Sequence, residues 1–215
     1  MRQHVNPLSH FFQVDREIPE LQTLYENEEL PLHIDIGCAR GNFLIKLAEL
    51  EPHWNYLGLD IRSSLISAAN RDRDLLELRN LAFFFCNANV SLQKFLGESH
   101  DSNLKRVSIQ FPDPWFKRRH YKRKVFQLEL ISLISCACPQ GAQLFIQSDI
   151  LSIIEEMELL IYSTNCFFKI HPKNTRFIGY NPFKIKTERE DYVMTKGLPI
   201  YRILFERNSE RCPNI

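Results

Sequence analysis

The chain has 215 residues, of which 44% are hydrophobic, 25% charged and 12% aromatic, with sixteen Phe and only seven Gly. That profile excludes a disordered, collagen-like or coiled-coil chain and predicts one globular domain over 1–215, with an N-terminal extension at 1–28 and a frayed tail at 207–215. Its 27 Lys+Arg nearly balance 26 Asp+Glu, so a nucleic-acid partner has to be signalled by local charge and not by net charge.

In chain order, residues 32–36 (Leu-His-Ile-Asp-Ile) form a short predicted strand ending at Gly37. Residues 41–50 have helical spacing, 54–61 read as a strand ending in Asp60, and 63–78 as a helix with Ser63 as its N-cap. The run 81–86 is wholly apolar, as suits a strand buried on both faces. A short helix is predicted over 90–97 and a strand over 105–111, broken by Pro112-Asp113-Pro114. A helix over 122–136, a strand over 142–147, a helix over 150–163 and a strand over 166–170 follow. Residues 171–187 are basic and aromatic without a clear period, and 198–206 read as a last strand. Strand and helix alternate with short connections, which predicts an α/β protein with a parallel sheet and helices on both faces.

The apolar runs are too short to span a bilayer, and the first residues lack the apolar stretch of a signal peptide, so a cytoplasmic protein is expected. The cysteines at 38, 86, 136, 138, 166 and 212 form no C-x-x-C pair, and the seven histidines have no ligand spacing. No metal site is expected, and the cysteines are expected to be buried reduced thiols.

In an open α/β sheet, ligands bind beyond the carboxyl ends of the strands. The strand ends here carry Asp35-Ile-Gly37-Cys-Ala-Arg-Gly41, Asp60, Asn87-Ala88, Pro112-Asp113-Pro114-Trp115 and Ser148-Asp149. Each Asp taken alone is explained by loop or helix capping; their convergence on one edge is not. Two of the seven glycines, Gly37 and Gly41, lie in the first turn, where they allow a sharp bend and close approach of a ligand. The spacing D-x-G-x-A-x-G departs from the G-x-G-x-x-G turn of nicotinamide enzymes. Asp60 suits the ribose hydroxyls of a dinucleotide or of S-adenosyl-L-methionine (AdoMet), and Asn87 is placed to meet an adenine edge. An acid-lined pocket favours the cationic AdoMet over NAD.

After Trp115 comes Lys117-Arg118-Arg119-His120-Tyr121-Lys122-Arg123-Lys124, six basic residues in eight. An even spread would put about one in such a window. Positive charge at a helix N-terminus opposes the macrodipole, so a stabilising role is a poor explanation and phosphate binding a better one. Trp115, Phe116, His120 and Tyr121 add stacking surfaces suited to unpaired bases.

Taken together, Asp35-Ile-Gly37-x-x-x-Gly41, Gly58-Leu-Asp60, Asn87-Ala88, Phe111-Pro-Asp113-Pro-Trp115-x-Lys117-x-Arg119-His120, Ser148-Asp149 and Thr187-Glu188-Arg189-Glu190 resemble the bacterial tRNA (guanine-N7-)-methyltransferases over nearly the whole chain. The resemblance implies a class I methyltransferase (Rossmann-like) fold: a mostly parallel seven-stranded sheet whose last strand is antiparallel. It implies methylation of N7 of guanosine 46 in the variable loop of tRNA. By similarity Asp35, Gly37, Gly41, Asp60, Asn87 and Asp113 belong to the AdoMet site, Asp113 is catalytic, and Lys117, Asp149 and Thr187, Glu188, Arg189 and Glu190 bind substrate. Arg118, Arg119, His120, Tyr121, Lys122, Arg123 and Lys124 would grip RNA. Ala39 stands where the family often has glycine, Asp35 and Asp60 where it commonly has Glu, and Phe116 where Pro or His is usual. Thr187 also reads as an N-cap with Glu190 completing a capping box.

Three other functions fit parts of the pattern. They are an AdoMet-dependent enzyme acting on another RNA or a small molecule, a non-catalytic RNA-binding module on a methyltransferase fold, and a nicotinamide-dependent oxidoreductase. The basic-aromatic run speaks against a small-molecule substrate, the intact strand-end acids against a non-catalytic module, and the glycine spacing against the oxidoreductase.

Overall fold

The computed structural model describes residues 5–98, 103–171 and 175–212; the rest of the expected extension and tail lies outside these residues. Seven strands form one sheet: β1 (Leu32–Ile36), β2 (Asn55–Asp60), β3 (Leu81–Phe85), β4 (Leu104–Gln110), β5 (Gln143–Ser148), β6 (Phe167–Lys169) and β7 (Tyr201–Arg207). Their order is β3-β2-β1-β4-β5-β7-β6. β1 to β5 pair in parallel, while β7 is antiparallel to both β5 and β6. The expected seven-stranded architecture is therefore present. Order reverses between β1 and β4, which makes the crevice beyond their carboxyl ends the topological switch point.

Among the described residues α1 (Leu21–Leu24) precedes the sheet, and six α-helices connect its strands: α2 (Asn42–Leu50), α3 (Ser63–Leu75), α4 (Ala88–Glu98), α5 (Leu128–Ala137), α6 (Leu151–Ser163) and α7 (Glu188–Thr195). The β strands alternate their side chains between two cores, one per face. Leu57, Leu144 and Ile203 join Leu92, Ile131 and Ile154 on one side. Tyr56, Phe145 and Leu204 join Phe43, Leu44 and Phe183 on the other. No helix among the described residues is long and apolar enough to cross a membrane.

Three predicted elements shift. The helix expected over 122–136 begins only at Leu128. Upstream, Arg118–Arg123 wind into a 3-10 helix, and the following chain is extended. Gln127 stabilises the extended stretch by donating to the carbonyls of Lys122 (3.1 Å) and Lys124 (2.7 Å). The cationic run is thereby kept off the positive end of α5. Ser63 opens α3 as its first helical residue, with Arg62 in the cap position. The last strand starts at Tyr201, because Gly197 turns the chain at φ +63° and the Leu198 N–H returns to the Val193 carbonyl at 3.1 Å. Of the cysteines, Cys136 is exposed and Cys212 half-buried, against the expectation that all are core thiols.

Candidate active site

At the switch point lies a cavity of about 450 Å³, within the roughly 300–1,000 Å³ typical of small-molecule sites. Gly37, Asp60, Asn87, Gln110, Asp113, Lys122, Arg123 and Lys124 line it, together with Val5, Pro7, Leu8 and Gln13 of the N-terminal segment. The turn after β1 has three left-handed residues, Gly37 (φ +88°), Ala39 (φ +53°) and Gly41 (φ +77°). A Cβ on Gly37 would meet nothing within 4 Å, so the bare backbone borders open cavity, as a site for closely approaching ligand requires. Gly41 serves packing instead: a Cβ there would come within 2.4 Å of the Phe83 ring, and Gly41 does not border the cavity.

Asp60 accepts hydrogen bonds from the Ala39 N–H (2.9 Å) and the Arg62 N–H (2.9 Å), and it grips the Arg62 guanidinium through both oxygens at 2.9 and 2.8 Å. These hydrogen bonds, and the Asp60 charge behind them, hold the guanidinium protonated and raise the Arg62 pKa against the opposing effect of burial. Asn87 donates to the Phe12 carbonyl (3.2 Å) and accepts from the Asn89 N–H (3.2 Å). The N-terminal segment thus covers this end of the cavity, with Arg16 stacked 4.5 Å from the Phe85 ring centroid. Sequence reasoning missed that segment; its Phe11-Phe12 pair beside Arg16 was the available signal.

Asp35 lies under the cavity, not on its wall. It is 4% exposed and accepts from Ser108 Oγ (2.5 Å) and Gln110 Nε2 (3.2 Å). Burial pushes its carboxyl up to about 6, against the opposing pull of these two hydrogen bonds. Behind it His33 is fully buried, and burial lowers it to about 3, so the ring is neutral. Ser108 donates its one proton to Asp35, so His33 Nε2 must donate to Ser108 Oγ at 2.9 Å.

Asp113 borders the cavity from the loop after β4. Phe111 enters that loop at φ +48°, a costly conformation for a non-glycine residue and one that concentrates at functional sites. The basic run wraps past it. Trp115 stacks edge-on against His120 at 5.4 Å, Arg123 lies 5.2 Å from the Trp115 ring centroid, and Lys124 is ion-paired with Glu156. Lys117, Arg118, Arg119, Tyr121 and Lys122 are exposed, as a phosphate-gripping surface needs.

The remaining predicted residues gather beside the cavity, not in it. Arg189 pairs with Asp149, and Asn42 of α2 donates to Glu188 at 2.5 Å. The Thr187 hydroxyl caps α7 by accepting from the Glu190 N–H at 3.1 Å. The Glu190 carboxylate does not complete a capping box. It is fully buried and receives Arg202 (2.7 Å), Asn181 (2.7 Å) and Gln147 (3.2 Å). Among the described residues no group of His, Cys, Asp or Glu could hold a metal ion.

A family model described as "Putative methyltransferase" matches residues 29–203. A tRNA (guanine-N(7)-)-methyltransferase of Prochlorococcus marinus (strain MIT 9313) is 51% identical over 217 residues, covering 100% of this chain and 91% of that protein. The enzyme of that name from Synechococcus sp. (strain CC9311) is 49% identical, covering 99% and 90%. Among solved structures, an rRNA methylase from Streptococcus thermophilus matches with a TM-score of 0.53 at 14% identity, covering 88% of this chain and 92% of that one. The 16S rRNA methyltransferase KamB matches at 0.54 and 13%, covering 88% and 91%. At such identities the solved structures share the fold alone. The switch-point cavity, the Phe-Pro-Asp-Pro-Trp loop and half-identity along its whole length place this chain in the tRNA (guanine-N(7)-)-methyltransferase family.

Proposed function

We propose that the protein methylates N7 of guanosine 46 in the variable loop of tRNA, with AdoMet as methyl donor, as a single cytoplasmic methyltransferase domain. The observation that carries this reading is the adjacency of two different surfaces. The cavity bordered by Asp60 and Asp113 is also lined by Trp115 and Lys122, which flank the basic stretch in which Lys117, Arg118, Arg119 and Tyr121 are exposed. The cavity fits a donor that is cationic at its amino and sulfonium groups: Gly37 leaves its rim open, and Asp60 and Asp113 border it. Asp60 and Asn87 would hold the adenosine, Asp60 by exchanging hydrogen bonds now made to Arg62. Asp35 acts from beneath, as a buried negative charge whose field favours a cation above it.

Guanine N7 has an in-plane lone pair and no proton, so the chain need not supply a general base. The bound donor supplies a methyl group on sulfonium, and the positive charge ends on the purine. Asp113, on its proline-bounded loop, is positioned to stabilise that developing charge, and does so more in the transition state than with neutral guanine. Lys117, Arg118, Arg119 and Lys122 bind phosphates, while Trp115 and Tyr121 offer faces for a splayed base. Asp149 and Thr187 to Arg189, joined by the Asp149–Arg189 ion pair, would contact the substrate. The protein incubated with unmodified tRNA and methyl-labelled AdoMet should yield labelled N7-methylguanosine at position 46 on nucleoside and fragment analysis. Label in another nucleoside, or none in tRNA, would overturn the assignment.

A further inference from the structure

Four buried polar side chains, Asp35, Ser108, Gln147 and Arg202, lie with the half-buried Gln110 across neighbouring strands of the sheet, and the strand register places them side by side. Asp35 on β1 is the partner of Ser108 on β4, Gln110 on β4 of Gln147 on β5, and Gln147 of Arg202 on β7. The contacts are continuous. Gln110 donates to Asp35 at 3.2 Å, and its oxygen accepts from Gln147 Nε2 at 2.7 Å. Gln147 Nε2 also donates to Glu190 at 3.2 Å, and its oxygen accepts from Arg202 Nε at 3.2 Å. Arg202 closes on Glu190 at 2.7 Å. Gln147 and Glu190 are fully buried, and Arg202 is 7% exposed. Groups this deep are costly unless fully partnered. A plain structural explanation would put Leu or Val at these sites.

The two ends of this chain of contacts are what give it meaning. One end is Asp35, held by the cavity-lining Gln110. The other is Glu190 in the first turn of α7, whose neighbours Glu188 and Arg189 bond to Asn42 and Asp149. The Gln147 backbone carbonyl also accepts the Phe111 N–H at 2.8 Å, at the strained residue that leads into Asp113.

We infer that Gln147 and Arg202 are positioning residues for methyl transfer: with the cavity-lining Gln110 they form a relay that orients the buried Asp35 carboxylate next to the donor cavity and anchors α7 on the substrate side. This rests on the proposed function for the identity of the two ligands. Gln147 holds the key place because its amide fixes the rotation of Gln110. Without a donor at its oxygen, Gln110 is released to turn toward the cavity, and Asp35 loses the hydrogen bond that favours its charged form. The other groups facing Asp35 are Asp60 from β2, Cys38 from the following turn, and His33 through Ser108. Among the described residues none of them shares a hydrogen bond with Gln147.

The test is AdoMet affinity by titration calorimetry from pH 5 to 8.5, with the KM for tRNA measured alongside, in the full chain. Wild type should lose donor affinity as pH falls through about 6. In Gln147→Met the midpoint should move upward by about half a pH unit or more, with donor affinity at pH 8.5 nearly unchanged and the tRNA KM raised. Gln110→Met should move the midpoint the same way, and it stands in if Gln147→Met does not fold. A midpoint that stays in place while only thermal stability falls would overturn the relay and leave the proposed function standing. Wild type that binds no AdoMet at any pH would overturn the proposed function itself.

Discussion

Asp35→Asn separates what the fold wants at this position from what the reaction wants. Burial raises the Asp35 carboxyl from 3.8 to about 6. An acid whose folded pKa is raised contributes stability that is fully present below its unfolded pKa and lost as pH rises through the folded one. The window is therefore pH 3.8 to about 6. Two pH units correspond to about 3 kcal/mol, which above pH 6 is the cost of keeping the carboxylate charged in the fold. Asn retains an oxygen for Ser108 and Gln110 but gains an amide that needs an acceptor, so about 1–2 kcal/mol of that gain should survive at pH 7.5. Denaturant unfolding at pH 4.5 and 7.5 measures it: the variant should be more stable than wild type at the higher pH and nearly equal at the lower. Calorimetry at pH 7.5 should show AdoMet binding weakened at least tenfold. A variant equally destabilised at both pH values, with donor affinity intact, would refute the reasoning.

Ala39→Gly should raise stability by about 0.5–1 kcal/mol in thermal unfolding, because Ala39 is held at φ +53°, where only glycine avoids a Cβ penalty. Gly41→Ala should cost roughly 2–4 kcal/mol by the same assay, since its methyl would press into the Phe83 ring at a left-handed backbone. Replacing Arg118, Arg119 and Lys122 with Ala should leave the melting temperature unchanged. It should weaken tRNA binding and reduce the salt dependence of log K by about 2–3; an unchanged slope would move the RNA grip elsewhere.

The alternation of strands and helices along the chain was legible in the sequence because the first five strands are short apolar-rich segments, each followed closely by an acid, an amide or glycine. Boundaries slipped where local chemistry opposed the period. The apolar spacing of α5 extends back through Phe126 and Val125, yet charge crowding at 122–124 and Gln127's bonds to two carbonyls keep that stretch out of the helix. At the site, Asp60, Asn87 and Asp113 were legible because each lies at, or within three residues after, the end of a strand. Asp35 was legible as an acid but not as a buried one, since its depth depends on which strands flank β1. Gln110 and Gln147 drew no attention in the sequence, because only the register of β4, β5 and β7 brings them into contact. The same holds for Glu190: its motif reads as a capping box, while its partner Arg202 lies on the antiparallel strand.

The central claim is that Asp113 acts on charge that appears during methyl transfer, beside RNA held by the neighbouring basic stretch. Single-turnover transfer to unmodified tRNA by Asp113→Asn, measured with tRNA affinity in the same preparation, tests it most directly. The account predicts a rate lower by roughly a hundredfold or more at nearly unchanged tRNA affinity. A rate equal to wild type, or a loss explained wholly by weaker tRNA binding, would contradict it.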